Sequence, residues 1–365
     1  MRIKYFEEGL EKETSFALSE GPVEWAVLLG GEPFGRGRSE DHEVLRSASR
    51  RPGDEVAEAI VVIEGDQGVG TGFLAAIGGK TYLYTAAHVL SGNSKLAVKL
   101  RNGQKILRFG RFEASSGADL VRIEVLEEVP AALLLGDTDG QSQQGKVIYA
   151  AGNSGGGGTV GFLEGKIQGV GAESIEIDAK VIQGNSGGPI LDGVTHEVLG
   201  VVTHLVAARK DEWAKETRFS EIRRFGCRVD REWIWDEVPC GRFLVEGRQL
   251  KDLTDLNTLM VFALDPNEWR NPQLRGYEDH RIVKEIRELQ SWIDNQRGRM
   301  TGVSESDRRK KVASFYTGLR TSSRQQMRDF RPGRFVWFHR EMAEQVRLLR
   351  EEIDEVCDEA IENLR

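Results

Sequence analysis

Short apolar runs separated by glycine-rich turns dominate the chain from residue 56 to about residue 202. The clearest runs have the length and composition of β-strands and cover residues 59–64, 72–77, 81–85, 95–100, 119–125, 146–151, 174–177 and 197–203. Many short strands without a long helical period are typical of an all-β sandwich or barrel. The pattern therefore predicts a β-domain over this part of the chain.

Beyond about residue 230 the apolar positions recur at helical spacing. One such set is Ile282, Ile286, Leu289 and Ile293. A second set steps by four and three through Met342, Val346, Leu349, Ile353, Val356 and Ala360. Ser304 followed by Asp307 resembles a helix start. Because the second set spans under three heptads, it indicates a terminal helix packed on its own domain rather than an intermolecular coiled coil.

These patterns divide the chain into three predicted regions. Residues 1–54 carry turn residues and few periodic ones, which predicts an irregular arm or a pro-segment. Residues 55–230 form the predicted β-domain, with a short helix expected around residues 219–225. Residues 231–365 form a mostly helical C-terminal domain.

Composition limits the classes of function. The formal net charge of −8 argues against a general nucleic-acid binder, and the basic run 308–311 is typical of a solvated helix face. The three cysteines, Cys227, Cys240 and Cys357, lie far apart, which fits a reducing compartment. We see no signal peptide and no apolar stretch of about 18 residues. These features predict a cytoplasmic protein that does not bind membranes.

One stretch has the residue types that acyl transfer requires. In residues 184–191 a serine, Ser186, stands between glycines and before an apolar strand. Glycines let such a loop curl its N–H groups into a cup for an oxyanion. A serine also needs a general base and a group that orients the base. His88 and Asp119 lie upstream, each beside an apolar run.

Four separated segments then indicate a family: residues 70–73 (GTGF), 85–88 (TAAH), 118–120 (ADL) and 184–189 (GNSGGP). Together they resemble the marker segments of trypsin-like serine peptidases, and most resemble the bacterial high-temperature-requirement (Deg-type) branch. The resemblance covers about residues 55–230 and no PDZ-like segment is apparent. It implies a mainly β fold, a chymotrypsin-like double β-barrel of two six-stranded barrels, followed here by an α-helical C-terminal region.

The resemblance also implies roles for individual residues. Ser186 would be the nucleophile, His88 the general base and Asp119 the group that orients it. The N–H groups of Gly184 and Ser186 would form the oxyanion hole. Thr203 matches a position that supports the aspartate by a hydrogen bond. Asn185 stands where digestive trypsins carry aspartate, so activation by an inserted N-terminus is not expected.

Substrate specificity is weakly encoded. Lys180 lies six residues before Ser186, where the family often has the floor of its main side-chain pocket, and could favour an acidic substrate residue. It could equally point to solvent, which we favour. Val181, Ile182 and Leu205 could instead form a small apolar pocket.

Two alternatives concern the serine itself. Residues 152–156 (GNSGG) repeat the motif around Ser154, but more glycines follow Ser154, whereas a proline and an apolar strand follow Ser186. We therefore assign the nucleophile to Ser186. The spacing Gly184-x-Ser186-x-Gly188 also fits the nucleophile elbow of α/β-hydrolases, but that motif needs a helix directly afterwards, which Pro189 disfavours.

The leading hypothesis is a serine endopeptidase that acts on polypeptides, uses no cofactor or metal, and docks substrates or a protein partner through its C-terminal helices. A place in a bacterial stress or defence system rests on resemblance alone. A catalytically latent or non-catalytic interaction module on the same fold is the alternative, and an esterase is a third reading because the same chemistry cleaves esters.

Overall fold

A computed structural model describes residues 2–7, 10–15, 49–141, 144–207, 222–297, 304–328 and 330–364. Residues 1–49 and 50–365 form two compact units. In the first unit, strands β1 (Arg2–Glu7) and β2 (Leu10–Ser15) pair antiparallel. The irregular arm or pro-segment predicted for residues 1–54 stays a prediction, because the structure describes only these two strands before residue 49. Only Glu8 and Gly9 separate the strands in sequence, a spacing and composition that favour a tight hairpin.

The second unit begins with fourteen strands and three short helices, before four long helices among the described residues. The strands are β3 (Ile60–Gly65), β4 (Val69–Ile77), β5 (Lys80–Thr85), β6 (Leu96–Leu100), β7 (Lys105–Ile106), β8 (Phe109–Ser116), β9 (Val121–Val125), β10 (Val147–Gly152), β11 (Gly161–Val170), β12 (Ser174–Ile177), β13 (Pro189–Asp192), β14 (Val198–Ala207), β15 (Ile222–Arg228) and β16 (Ile234–Glu237). The helices are α1 (Asp54–Ala57), α2 (Ala87–Leu90), α3 (Thr138–Gln141), α4 (Cys240–Leu264), α5 (Arg281–Arg297), α6 (Glu305–Met327) and α7 (Trp337–Asn363).

The strands build two antiparallel β-structures, as predicted. The second is a closed six-stranded barrel in the order β10-β11-β12-β15-β14-β13. The first differs from the expected six-stranded barrel: it is an eight-stranded sheet in the order β16-β8-β9-β5-β4-β3-β6-β7. One of its two edge strands, β16, comes from beyond residue 230 and pairs with β8. The double-barrel fold followed by C-terminal helices is thus confirmed, with this difference in the first barrel.

The helix expected around residues 219–225 is a wrong prediction for the part that the structure describes. Residues 222–228 form β15, which pairs with β12 on one side and β14 on the other. Closing the barrel satisfies the backbone hydrogen bonds of this segment along both edges, and that tertiary gain outweighs the local helical pattern. Residues 219–221 lie outside the described residues.

Helices α5, α6 and α7 form where the sequence patterns predict them, whereas α4 was covered only by the general expectation of a helical C-terminal region. Ile282, Ile286 and Leu289 on α5 are buried, and the hydroxyl of Ser304 accepts a hydrogen bond from the Asp307 N–H at the start of α6. The predicted seam on α7 is displaced. The helix actually buries His339, Ala343, Val346, Arg350, Ile353, Cys357 and Ile361.

The displacement on α7 has a physical cause. A buried arginine and cysteine belong to the observed seam, whereas Val356 is 41% exposed. Apolar periodicity alone does not predict a buried Arg350. An arginine can nevertheless take a buried position in a helical bundle because its aliphatic stem packs against apolar neighbours.

The helices share a hydrophobic core with the first β-sheet. Phe243 on α4 and Val336 before α7 lie in one cluster with Leu83, Ala87 and Leu90 of the sheet and of α2. A separate cluster joins the distal parts of α4, α5, α6 and α7. Among the described residues, no helix is long and apolar enough to cross a membrane.

Candidate active site

His88 lies on α2, directly after β5. Ala86 and Ala87 before it and Leu90 after it are buried, so the short helix is anchored on both sides of His88. The His88 side chain remains 38% exposed. The buried neighbours therefore hold the short helix in place while the imidazole of His88 stays accessible.

Asp119 lies in the turn between β8 and β9, and it holds His88 through two contacts. Its Oδ2 lies 2.5 Å from His88 Nδ1, and its Oδ1 accepts the His88 backbone N–H at 2.9 Å. Buried Ala118 and Leu120 fix the turn on either side. Because Nδ1 faces a carboxylate, the proton of a neutral ring belongs on Nδ1, and Nε2 is left as the basic atom.

The pKa of His88 reflects this pair. Partial burial of the ring acts to lower the pKa, but the hydrogen bond to Asp119 and the charge of that carboxylate outweigh it and raise the pKa above its ordinary value. The pair therefore makes His88 a stronger base than a free histidine.

Ser186 lies half-buried in the loop before β13. The loop is tied down by its backbone: Thr71 N–H donates to the Ser186 carbonyl at 2.9 Å, and Gly187 N–H donates to the Val202 carbonyl at 2.8 Å. Gly187 has a φ of +83°, and a Cβ there would lie 2.1 Å from the Thr71 carbonyl oxygen. Among the described residues the Ser186 hydroxyl makes no hydrogen bond. The hydrogen bond between His88 and Asp119 is therefore formed, whereas one between Ser186 and His88 is not.

The same loop carries two N–H groups that donate to no acceptor in the described part of the chain, those of Gly184 and Ser186. The N–H groups between and after them are used, because Asn185 donates to the Ile182 carbonyl and Gly188 to the Asn185 carbonyl. Two free donors beside a serine are the arrangement that an oxyanion requires.

Thr71 connects the two halves of the site, a role that the sequence did not suggest. Its hydroxyl donates to the Gly184 carbonyl at 2.6 Å and accepts the Asn153 N–H at 2.9 Å. Its own carbonyl accepts the Thr85 hydroxyl at 2.7 Å. Thr71 thus joins the end of β5, just before His88, to the serine loop. The only signal in the sequence was a threonine between two glycines within a family segment.

The repeated motif around Ser154 lies against the serine loop. Asn185 donates through Nδ2 to the Ser154 hydroxyl at 3.0 Å, and its Oδ1 accepts the Ile182 N–H at 3.0 Å. The Ser154 hydroxyl therefore has a partner, unlike that of Ser186. The side-chain amide of Asn185 thus makes its hydrogen bonds within these two loops. In digestive trypsins the aspartate at this position binds an α-amino group instead.

Thr203 does not contact Asp119 through a hydrogen bond. Its hydroxyl lies 3.0 Å from His204 Nδ1 and 3.4 Å from the Phe225 carbonyl. The nearby thiol of Cys227 lies 4.0 Å from the Thr203 hydroxyl. Burial and the charge of Asp119 raise the pKa of this thiol to about 11, which keeps it neutral. Cys227 is a neighbour of the aspartate that sequence reasoning missed.

The predicted specificity residues whose side chains are described differ in exposure. Lys180 is exposed, Val181 is buried in the hydrophobic cluster of the closed barrel, and Ile182 is 52% exposed. The Val181 carbonyl accepts the Arg224 Nε at 3.3 Å. The side chain of Leu205 lies outside the described residues. Val181 therefore supports the barrel, and the small apolar pocket stays a prediction.

One group of carboxylates, Asp137, Asp139 and Asp230, brings its oxygens within 4.8 Å of one another. Cationic side chains already occupy this group: Arg228 lies 2.7 Å from Asp230 and Arg231 lies 3.0 Å from Asp139. Arginine donors neutralise the charge that a divalent cation would need, so the arrangement is that of an ion-pair network.

The glycine at 184 provides a direct test of the donor pair. Gly184 has a φ of +95°, and a Cβ there would lie 2.1 Å from the Asn153 carbonyl oxygen. We expect Gly184→Ala to displace this N–H and to lower kcat by about 100- to 1000-fold, the typical cost of one oxyanion donor. Gly103→Ala is the control, since Gly103 has a similar φ of +85° with open space around it. Equal activity of both variants in a peptidase assay would argue against the donor role.

Comparison with known proteins adds a family to this geometry. Residues 70–201 match the family model of the trypsin-like peptidase domain. This part of the chain is similar to trypsin-like peptidase domains. The match includes His88, Asp119 and Ser186, and no curated protein matches the chain.

Solved structures with partial likeness include serine proteases. An inactive form of Rv3671c from M. tuberculosis H37Rv is 22% identical over 48% of this chain and 82% of its own, with a TM-score of 0.38. The HtrA-type protease AlgW, solved with a tripeptide, is 24% identical over 48% of this chain and 58% of its own, with a TM-score of 0.38. A serine endoprotease from Yersinia pestis is 22% identical over 42% of this chain, with a TM-score of 0.34. The chain spans 58% of each of the last two structures.

Proposed function

We propose that the chain is a serine endopeptidase that hydrolyses peptide bonds through His88, Asp119 and Ser186. The observation that carries the proposal is the juxtaposition of the His88–Asp119 pair with a serine loop that offers the Gly184 and Ser186 N–H groups. These are the three functions that acyl transfer needs: a base, a nucleophile and donors for the oxyanion.

In the proposed reaction the Ser186 Oγ attacks the scissile carbonyl while His88 Nε2 takes its proton. The negative charge of the tetrahedral intermediate falls on the carbonyl oxygen, where the N–H groups of Gly184 and Ser186 stabilise it. His88 then donates the proton to the leaving amine, and an ester with Ser186 remains. Water, deprotonated by His88, hydrolyses that ester. Asp119 holds the imidazolium in each half of the reaction.

A latent or non-catalytic module on the same fold is the second candidate, and one observation favours it. The Ser186 hydroxyl makes no hydrogen bond among the described residues, so the nucleophile and its base are not yet joined. Catalytic contacts in ligand-free peptidases are often long and tighten when substrate binds, which is why we favour an active enzyme.

The remaining parts of the proposal concern its setting. All three cysteines are free, which favours a cytoplasmic enzyme. A polypeptide substrate follows from the proposed chemistry. We extend the proposal to a role in a stress or defence system and to a protein partner that docks on the C-terminal helices. Both extensions rest on resemblance and not on a contact in this chain.

Labelling with a fluorophosphonate tests the proposal. We expect one adduct on the wild-type chain, mapped by mass spectrometry to Ser186, because the reagent modifies only a serine activated by a neighbouring base. Ser154→Ala should still be labelled and Ser186→Ala should not. Absence of labelling on folded wild-type protein, while a known serine peptidase reacts in parallel, would contradict the active-enzyme proposal and favour the latent module.

The pH dependence follows from the His88 pKa. Only neutral His88 can accept the serine proton, so kcat/KM should rise with pH and level off above the raised pKa of the free enzyme. Asp119→Asn removes the charge that raises this pKa, so the midpoint should move to lower pH while the plateau falls by about 10⁴-fold. A midpoint that stays in place would mean that another group controls the profile.

A further inference from the structure

The C-terminal helices reach the segment that carries His88 through a chain of three side chains, of which His339 and Glu246 are buried and Ser91 is half-buried. Ser91 directly follows α2, and its Oγ lies 3.1 Å from Nε2 of His339 on α7. The other ring nitrogen of His339, Nδ1, lies 3.4 Å from Oε2 of Glu246 on α4. The contact therefore runs from two long helices to the end of the short helix that presents His88.

Ser91 is well placed to fix α2. Its N–H donates to the Ala87 carbonyl at 3.0 Å and closes the single turn of the helix. Asn93 donates from Nδ2 to the Val89 and Leu90 carbonyls at 3.1 and 3.2 Å. A four-residue helix has few internal hydrogen bonds, so these contacts at its C-terminal end decide how firmly His88 is held.

The helices approach this end closely because α4 carries a glycine there. A Cβ on Gly247 would lie 2.4 Å from Ser91 Oγ, 2.7 Å from the Gly92 nitrogen and 3.0 Å from His339 Nε2. Gly92 has a φ of +81°, a left-handed conformation that glycine adopts readily. The interface is thus a backbone-to-backbone contact, closer than ordinary side-chain packing would allow.

Glu246 in turn is fixed by groups other than His339. Its Oε2 accepts the Val336 N–H at 2.6 Å, and its Oε1 lies 2.7 Å from Arg242 Nε. The ring of His339 also lies against Phe243, with 4.5 Å between ring centroids. Glu246 therefore connects α4 with the start of α7 and sets the orientation of the imidazole between them.

The protonation of His339 follows from its surroundings. The side chain has no exposed surface, and burial lowers its pKa although Glu246 acts in the opposite direction. A neutral ring with its proton on Nδ1, toward Glu246, leaves Nε2 to accept the Ser91 hydroxyl.

We propose that Glu246 and His339 are positioning residues of the peptidase, which act through Ser91 to hold α2 and thereby keep His88 in register with Asp119 and Ser186. This inference rests on the proposed function. It makes the C-terminal helices a structural part of the catalytic apparatus, in addition to any partner that they bind. It also identifies the contact through which a change in those helices would reach the general base.

The test uses the full chain with Ser91→Ala, His339→Phe and the double variant. We expect each single change to lower kcat by about 10- to 100-fold with little change in KM, the size of effect that a misplacement of about 1 Å produces. The double variant should be no slower than the slower single variant, because both changes break the same contact. The pH midpoint of kcat/KM should fall in each, since a looser His88–Asp119 contact raises the His88 pKa less.

His280→Phe is the matched control, because it replaces a histidine of the helical region whose Nδ1 accepts a hydrogen bond from the Ile282 N–H of its own segment. Its kcat and pH midpoint should equal those of the wild type. Variants with reduced stability but unchanged kcat and pH midpoint would overturn the inference, as would multiplicative losses in the double variant.

A second readout separates this inference from the proposed function. The proton on His88 Nδ1 gives a low-field NMR signal when it is held by Asp119, whether or not the protein cleaves anything. We expect Ser91→Ala to shift or broaden this signal and His280→Phe to leave it unchanged. If fluorophosphonate fails to label the wild type but Ser91→Ala alters the signal, only the proposed function fails. An unaltered signal in Ser91→Ala overturns the positioning role.

Discussion

Ser186→Ala is expected to lower kcat on an unfolded protein substrate by about 10⁶-fold, the typical cost of losing the nucleophile of an intact triad. Without the Oγ no acyl-enzyme forms, and the remaining N–H donors can only assist direct attack by water. The loss should appear in kcat rather than in KM, because the serine hydroxyl makes its bond with substrate only along the reaction path.

Ser154→Ala is the matched control for this experiment. Both serines lie in GNSGG segments, but Ser154 is hydrogen-bonded to Asn185. Its loss removes one support of the serine loop, which is worth about 1 kcal/mol, so a decrease of about tenfold at most is expected. If Ser154→Ala abolished activity while Ser186→Ala retained it, the assignment of the nucleophile would be reversed. If both retained full activity, the observed cleavage would come from a contaminant.

Phe243→Ala is expected to destabilise the peptidase domain itself, although Phe243 belongs to the C-terminal helices. The side chain is fully buried, lies 5.1 Å from Phe112 between ring centroids, and shares a cluster with Ala87 and Leu90 beside His88. Truncating a buried phenylalanine typically costs about 3–5 kcal/mol. We therefore expect a lower midpoint of urea unfolding and, at 37 °C, loss of fluorophosphonate labelling.

Val245→Ala provides the comparison on the same helix, since Val245 is 59% exposed. Its free energy of unfolding should stay within about 0.5 kcal/mol of the wild type. Two separate unfolding transitions, with only the helical one affected by Phe243→Ala, would show that the helices fold independently and would contradict the shared core.

This shared core bears on the predicted domain boundary at residue 230. That boundary stays a prediction, but β16 and Phe243 both lie beyond it and both pack on the first sheet. Trp235 on β16 stacks against the Arg122 guanidinium, which lies 4.4 Å from the ring centroid. Truncation of the chain near residue 230 would expose the apolar face that these residues cover.

The sequence by itself determined that residues 55–230 form a β-domain, because short apolar runs specify strands and glycines specify the turns between them. The resemblance to trypsin-like serine peptidases then implied the double-barrel fold and the roles of the candidate site residues. The pairing of His88 with Asp119 was also accessible, because the two residue types stand beside strands in a familiar order. Strands, turns and marker segments can be predicted from the sequence because each is encoded within a few neighbouring residues.

Only the tertiary structure decided which distant residues support that site. Thr71 binds the serine loop across the barrel interface, Cys227 lies beside Asp119, and His339 meets Ser91 from a helix 248 residues away in sequence. The same holds for β15, where barrel closure overrode a helical pattern. Contacts of this kind form when separate elements pack against each other. The free energy of that packing depends on residues far apart in the chain, so no local sequence pattern predicts it.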